Sequence, residues 1–287
     1  MGARSTVGRM ALALVYAIVA ALFLGGSDFC AARASRTMPS VTVTRTMVFV
    51  STVLSPILLV LIDFRWIARD VLIGAASGVA MTSGLLLAYR GYRVSRIGVV
   101  APISSVLLAA VPVVVDLIGG ERPSGLATSG MAVGLVALLL TSYQPGGAGS
   151  MSQGVQLGIA AGICYGVAFT LMGEVSDAAG LLPVVAQRTA GLTMLLVVFA
   201  FGTSPLFTSG PARRWAMVAG CAAIIAIAAL QIAFQKGDSG PVSVAGSQFA
   251  TVAVLLSVAF NRERMRWWQG TGVAATAVGV SLMALGA

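Results

Sequence analysis

The sequence repeats itself at a nearly constant interval. T-R-T-M around Arg45 returns as Q-R-T-A around Arg188, 143 residues later. G-G-E-R around Glu121 returns as N-R-E-R around Glu263, 142 residues later. The small residues Ala17, Ala21 and Gly25 return as Gly158, Gly162 and Gly166, an interval of 141. An offset this steady over most of the chain makes one half a diverged copy of the other. The fold must therefore be built from two versions of one unit.

The medium in which that unit folds follows from the hydropathy. Of the 287 residues, 58% are hydrophobic and 9% are charged, and the mean hydropathy is +0.96. Soluble domains carry about one quarter charged residues, so this chain lacks the polar surface to cover a particle in water. The apolar residues run from end to end, and a bilayer-spanning helix needs about 20 of them. Ten such spans fit, at approximately 10–31, 41–62, 71–91, 96–117, 125–142, 153–174, 182–202, 214–235, 241–260 and 268–286. Their joints are rich in Gly, Pro, Ser and Arg, which break helices or prefer the headgroup layer. The uncharged polar joint near 144–152 falls where the first copy ends. The expected organisation is a first repeat over 1–143, a linker over 144–152 and a second repeat over 153–287.

Five spans per copy is an odd number, so the second copy enters the membrane upside down relative to the first. The expected fold is an all-α membrane protein, ten transmembrane helices in two inverted five-helix repeats. Such pairs of repeats are the usual build of membrane transporters, with the site between them. Ten spans put both termini on one side. With the termini inside, internal loops carry six Lys or Arg and external loops carry ten. By that count the positive-inside rule places the termini outside.

The net charge of +9 does not point to nucleic acid. The basic residues sit singly or in pairs between apolar runs rather than clustered on a solvated face. Cys30, Cys164 and Cys221 stand alone in apolar segments without C-x-x-C spacing. Histidine is absent, which removes His metal sites and His general bases. No cofactor or metal site is expected. M-G-A-R-S-T fits a loose myristoylation pattern, and the first apolar run resembles a signal peptide. The run from Met10 to about Gly26 is longer than a signal core and carries the small-residue spacing that recurs later. It is taken as the first span.

Four features in order carry a resemblance. Gly26-Ser27-Asp28-Phe29 closes the first span, and Arg45 and Arg188 each open the second span of a copy. Leu87-Ala88-Tyr89-Arg90-Gly91 closes the third span, followed by Pro102. Glu121-Arg122 and Glu263-Arg264 follow the fourth spans, ahead of Gly130 and Gly272. In these features the chain resembles a ten-span, EamA-type member of the drug/metabolite transporter superfamily. The resemblance implies an exporter of small metabolites, amino acids or drugs with both termini in the cytoplasm, the orientation adopted here. Asp28 stands where that family commonly has Asn.

Asp28 is the sharpest candidate for a site. A carboxylate inside a span costs about 2.5–3.5 kcal/mol on insertion scales and usually faces a cavity or a partner. It would hold a cationic substrate or a coupling proton; otherwise it reaches headgroup water or pairs with Arg33, Arg36 or Arg45. Arg45 and Arg188 lie one or two turns inside their spans. They would gate the two faces or meet an anionic substrate; otherwise they snorkel or form structural ion pairs. Ser104, Tyr165, Gln231 and Gln248 are the neutral polar candidates, lining a cavity or bonding helix to helix. The glycine stripes Gly158, Gly162, Gly166 and Gly74, Gly78 allow close backbone approach.

The expected function is a secondary transporter that exports a small polar or amphipathic molecule by alternating access, driven by a proton, a cation or exchange. The partners are that substrate and the lipid bilayer, and composition fits a multi-pass protein of a bacterial cell membrane. A membrane-embedded enzyme lacks support, since neither H-E-x-x-H nor G-x-S-x-G occurs. A non-transporting receptor or scaffold is the remaining alternative.

Overall fold

The computed structural model of the protein describes residues 2–95, 97–120, 122–143, 150–261 and 266–286. Glu121, Glu263-Arg264 and most of the expected linker, 144–149, lie outside the described residues. The described residues form twelve α-helices and no strand. In chain order these are α1 (Gly2–Ala34), α2 (Ser40–Leu54), α3 (Ile57–Leu61), α4 (Ala68–Val94), α5 (Ile97–Ile118) and α6 (Gly125–Ser142). The second half holds α7 (Met151–Gly173), α8 (Leu182–Ala200), α9 (Gly210–Lys236), α10 (Ser239–Gly246), α11 (Phe249–Asn261) and α12 (Trp267–Leu285). Eight stretches are long and apolar enough to cross a membrane, among them Ser40–Leu61 (α2 with α3) and Ser239–Phe260 (α10 with α11). The shorter α6 and the 19-residue α12 pack on each other and bring the passes to ten.

Two passes expected as continuous helices are interrupted. At Ser55-Pro56 the proline contributes no N–H to the helix ladder, and the Ser55 hydroxyl donates back to the Thr52 carbonyl at 2.8 Å. At Ser247-Gln248 the hydroxyls of Ser243 and Ser247 donate to the Gly240 and Val244 carbonyls, both at 2.8 Å. Such back-bonding weakens and bends a helix.

The passes meet in pairs that recur with the two halves exchanged. Between α1 and α9, the Ser27 hydroxyl donates to the Ala219 carbonyl at 2.8 Å. Between α4 and α7, the Ser77 hydroxyl donates to the Ala168 carbonyl at 2.9 Å. Positions 27 and 168 are 141 apart, and 77 and 219 are 142 apart, so the donor and acceptor positions trade places. Gly25 faces Val252 on α11, and Gly166 faces Val111 on α5; both correspondences are 141. Gly78 of α4 abuts the backbone of Gln187 on α8, and Gly220 of α9 abuts the backbone of Met47 on α2. Each of these glycines leaves no room for a Cβ, which is why the backbones can touch.

The two ends of the bundle differ. One end holds both termini; the other, called here the far end, holds the last turns of α1, α4, α6, α8 and α11. A continuous buried cluster fills the termini end and the middle, including Met10, Leu14, Phe169, Met172, Phe234 and Met283. Toward the far end a second buried cluster joins the end of α1 to the starts of α2 and α9 through Phe29, Ala34, Val43, Ala212, Ala216 and Ala219, with Leu256 of α11 packed against it.

Candidate vestibule at Asp28

One stripe of α1 meets lipid and the opposite stripe meets protein. Leu12, Val15, Ile18, Leu22 and Phe23 are exposed, while Ala13, Ala17, Ala20 and Ala21 are buried. At 3.6 residues per turn, Asp28 falls on the protein side, between the directions of Ala17 and Ala21. Asp28 is nevertheless exposed. Asp28 lies six residues before the end of α1, about 9 Å from the far end at 1.5 Å per residue.

Asp28 accepts no hydrogen bond and forms no ion pair among the described residues, whose ion pairs join Arg69 to Asp70 and to Glu174. Tyr89 of α4 lies within electrostatic reach of it. The Thr44 hydroxyl on α2 donates to the Tyr89 Oη at 2.9 Å, so α1, α2 and α4 contribute neighbouring groups. A cavity of about 460 Å³ lies beside Tyr89, lined by Val41, Leu86, Tyr89, Arg90 and Val94. A smaller cavity of about 250 Å³ lies at the termini end, between Asp116, Arg122, Met131 and Asp238.

Arg45 is fully buried and turned away from Asp28. Its Nη1 donates to the Pro205 and Leu206 carbonyls at 2.9 and 3.2 Å, and its guanidinium lies 4.7 Å from the Phe199 ring centroid. Thr42 also donates to the Pro205 carbonyl, at 3.1 Å. Arg45 thus clamps the α8–α9 joint onto α2. Its counterpart Arg188 is also buried, but it is held by one donation from Nη2 to the Gln187 Oε1 at 3.0 Å. The Arg188 Nε is buried with no partner.

The remaining candidates divide among helix-to-helix contacts. Gln187 Nε2 donates to the Ser77 hydroxyl at 2.8 Å, and Gln231 Nε2 donates to the Met172 carbonyl at 3.1 Å. Gln187, Arg188 and Gln231 thus form a buried polar belt on the termini side of the middle. Gln248 has both ends of its amide engaged. Nε2 donates to Gly134 and Val244, and Oε1 accepts from Thr251 and Thr276. The Ser104 hydroxyl donates to its own helix at Ala101, 3.1 Å away, and the Ser104 backbone lies against Gly162. Tyr165 is half-buried, its ring against Gly84. Of the sequence candidates, Asp28 lies exposed near the far end of α1, apart from the others and lining neither of these cavities. Thr44 and Tyr89, its neighbours there, were not among them. Tyr89 sits inside the L-A-Y-R-G motif, which was the available signal.

Residues 152–285 match the model of the EamA-like transporter family. No curated protein matches the chain. A crystal structure of a protein that is 13% identical matches the fold over 95% of this chain and 96% of its own length, with a TM-score of 0.79.

Proposed function

We propose, from the match of residues 152–285 to the EamA-like transporter family, that the whole chain is a secondary transporter working by alternating access. The first half, 1–143, is the second copy's partner, and the two form inverted five-helix repeats joined near 144–152. The exchanged contacts at Ser27–Ala219 and Ser77–Ala168 support this pairing. In such a pair each half closes one face of the membrane in turn. The family resemblance makes export of a small metabolite, amino acid or drug-like molecule the expected direction.

The observation that carries this reading is Asp28, a carboxylate on the inward stripe of α1 that is accessible and unpaired among the described residues. A charge at that depth is kept where an ion pathway or substrate needs it. Its matching position in the second copy is Phe169, so the charge is not a requirement of the repeat scaffold. Asp28 would bind the substrate or carry the coupling ion, and closure of the far end would carry it past the Gln187–Gln231 belt. Asp28→Asn keeps size and polarity and cannot ionise. Reconstituted in liposomes, the variant should fold and express normally yet lose pH-dependent flux. Normal flux across pH 5 to 8 would remove Asp28 from the mechanism.

A further inference from the structure

The matched contacts of the two halves agree in most places and disagree at α2 and α8. Ser27–Ala219 and Ser77–Ala168 correspond, as do Gly25–Val252 and Gly166–Val111. The contact of α2 on α9 and that of α8 on α4 do not. Gly78 corresponds to Gly220 at an interval of 142, and Gln187 to Thr44 at 143. Gly78 abuts Gln187, but Gly220 abuts Met47, three residues past Thr44. Three residues are close to one helical turn, about 4.5 Å along the axis. Relative to its counterpart α8, α2 is displaced by that distance toward its own loop partner at the far end.

The side chains follow the same division. Arg45 holds the Pro205 and Leu206 carbonyls, and the Thr208 amide donates to the Thr46 hydroxyl at 2.9 Å. The joint after α8 is therefore fastened to α2 twice. In the joint after α3, Ile62, Asp63 and Arg65 lie 143 residues before Pro205, Leu206 and Thr208. That joint is fastened elsewhere. The Arg65 amide donates to the Ala178 carbonyl at 2.9 Å, and the Asp63 carbonyl lies against Gly180. Among the described residues, the Arg188 side chain donates only to its neighbour Gln187. The Thr189 hydroxyl, like that of Thr46, bonds back to its own helix, but no joint amide reaches it. Nε is buried without a partner on both arginines, so the difference lies at their terminal nitrogens. A guanidinium has five N–H donors, and buried Arg188 uses one.

We infer that α2 and α8 carry matched latches that exchange between two states of the protein. The two helices are tied to each other, since the Thr52 hydroxyl donates to the Arg188 carbonyl at 3.1 Å. In the opposite state the pair slides one turn toward the termini end, a discrete step of the kind packed helices allow. Gly78 then abuts Ala190, and Gly220 abuts Thr44. The slide carries Arg188 onto the Ile62 and Asp63 carbonyls and brings the Thr189 hydroxyl to the Arg65 amide. The same slide draws Arg45 and Thr46 away from the joint after α8. One latch engages because the other releases. This rests on the transporter reading for its purpose.

The test is disulfide cross-linking of the full chain in liposomes, with Cys30, Cys164 and Cys221 replaced by Ser. Thr46→Cys with Thr208→Cys reports the latch seen in this structure. Arg65→Cys with Thr189→Cys reports the opposite latch. Copper phenanthroline should close each pair when it is present alone. A chain carrying all four cysteines should close one pair or the other, leaving two thiols for maleimide on every molecule by intact mass. Arg188→Ala should cut the second cross-link at least fivefold and leave the first, which also serves as the control for folding. Arg188→Lys should recover part of the second. Both disulfides in one molecule would overturn the inference. So would no second cross-link in a chain that forms the first, or a second cross-link indifferent to Arg188→Ala. The cross-links report conformation and need no substrate, so their failure leaves the transporter reading to the flux measured for Asp28→Asn, and lost flux there leaves the latches standing.

Discussion

Removing the Arg45 side chain should loosen one joint of the bundle and little else. Arg45→Ala deletes two charge-assisted hydrogen bonds, to Pro205 at 2.9 Å and Leu206 at 3.2 Å, each worth about 1.5–3 kcal/mol. It also relieves the cost of burying a guanidinium, which offsets part of that loss. The two carbonyls left behind cost about 1–3 kcal/mol each unless water replaces the cation. The net destabilisation should be about 2–4 kcal/mol. At about 2 °C per kcal/mol, the lower bound known for smaller domains, Tm in detergent should fall by about 4–8 °C. Hydrogen exchange should accelerate at amides 202–209, with the termini end unchanged. Arg45→Lys should recover part of the loss, since an ammonium cannot serve both carbonyls with a planar fork. Arg188→Ala should be nearly neutral, because Arg188 has one donation and a buried, unpartnered Nε. A rise in Tm for Arg45→Ala, or equal losses for the two arginines, would refute the reasoning.

Gly78→Leu and Gly220→Leu should each cut folded yield severely, because a Cβ at either position collides with backbone on α8 or α2. Gly26→Ala, where a Cβ meets nothing within 4 Å, should be tolerated; size-exclusion profiles in detergent separate the cases. Gln248→Leu removes the acceptor shared by Thr251 and Thr276, which keep Thr141 and the Gly272 carbonyl, and the side-chain donor to the Gly134 carbonyl. It should cost about 1–3 kcal/mol, in the range of a lost buried network partner, read as a fall in Tm in detergent. A cysteine added after Ala287 in a background without native cysteines should resist impermeant maleimide in intact cells. Labelling there would place the termini outside, as the count of loop arginines indicates.

The bundle was legible because lipid imposes a simple rule. Every backbone polar group must be satisfied within a helix, so apolar runs and their Gly, Pro and Arg joints mark the passes to within a few residues. The kinks at Ser55-Pro56 and Ser247-Gln248 were missed for opposite reasons. Pro56 was visible but lay in an unbroken apolar run, and the serine back-bonds near Ser247 leave hydropathy unchanged. The inward direction of Asp28 was implicit in its spacing from Ala17 and Ala21. The environment of Arg45 was not legible, since its partners are carbonyls of Pro205 and Leu206, and a carbonyl has no sequence signature. Thr44 and Tyr89 meet only after α2 and α4 pack, so neither hydroxyl carried a periodic signal.

The buried cluster at the termini end contains Met10, Met131, Met172 and Met283. Thioether side chains are unbranched and turn about three bonds, so they refill irregular gaps with little loss when neighbours shift. A barrier made of branched residues interlocks in one arrangement and resists being parted. One rich in methionine can separate and close again at low cost. The same sulfurs set a vulnerability, because oxidation to the sulfoxide makes the side chain polar and disrupts apolar packing. The exposed Met151 and Met217 meet an oxidant first, and these four only when the cluster parts.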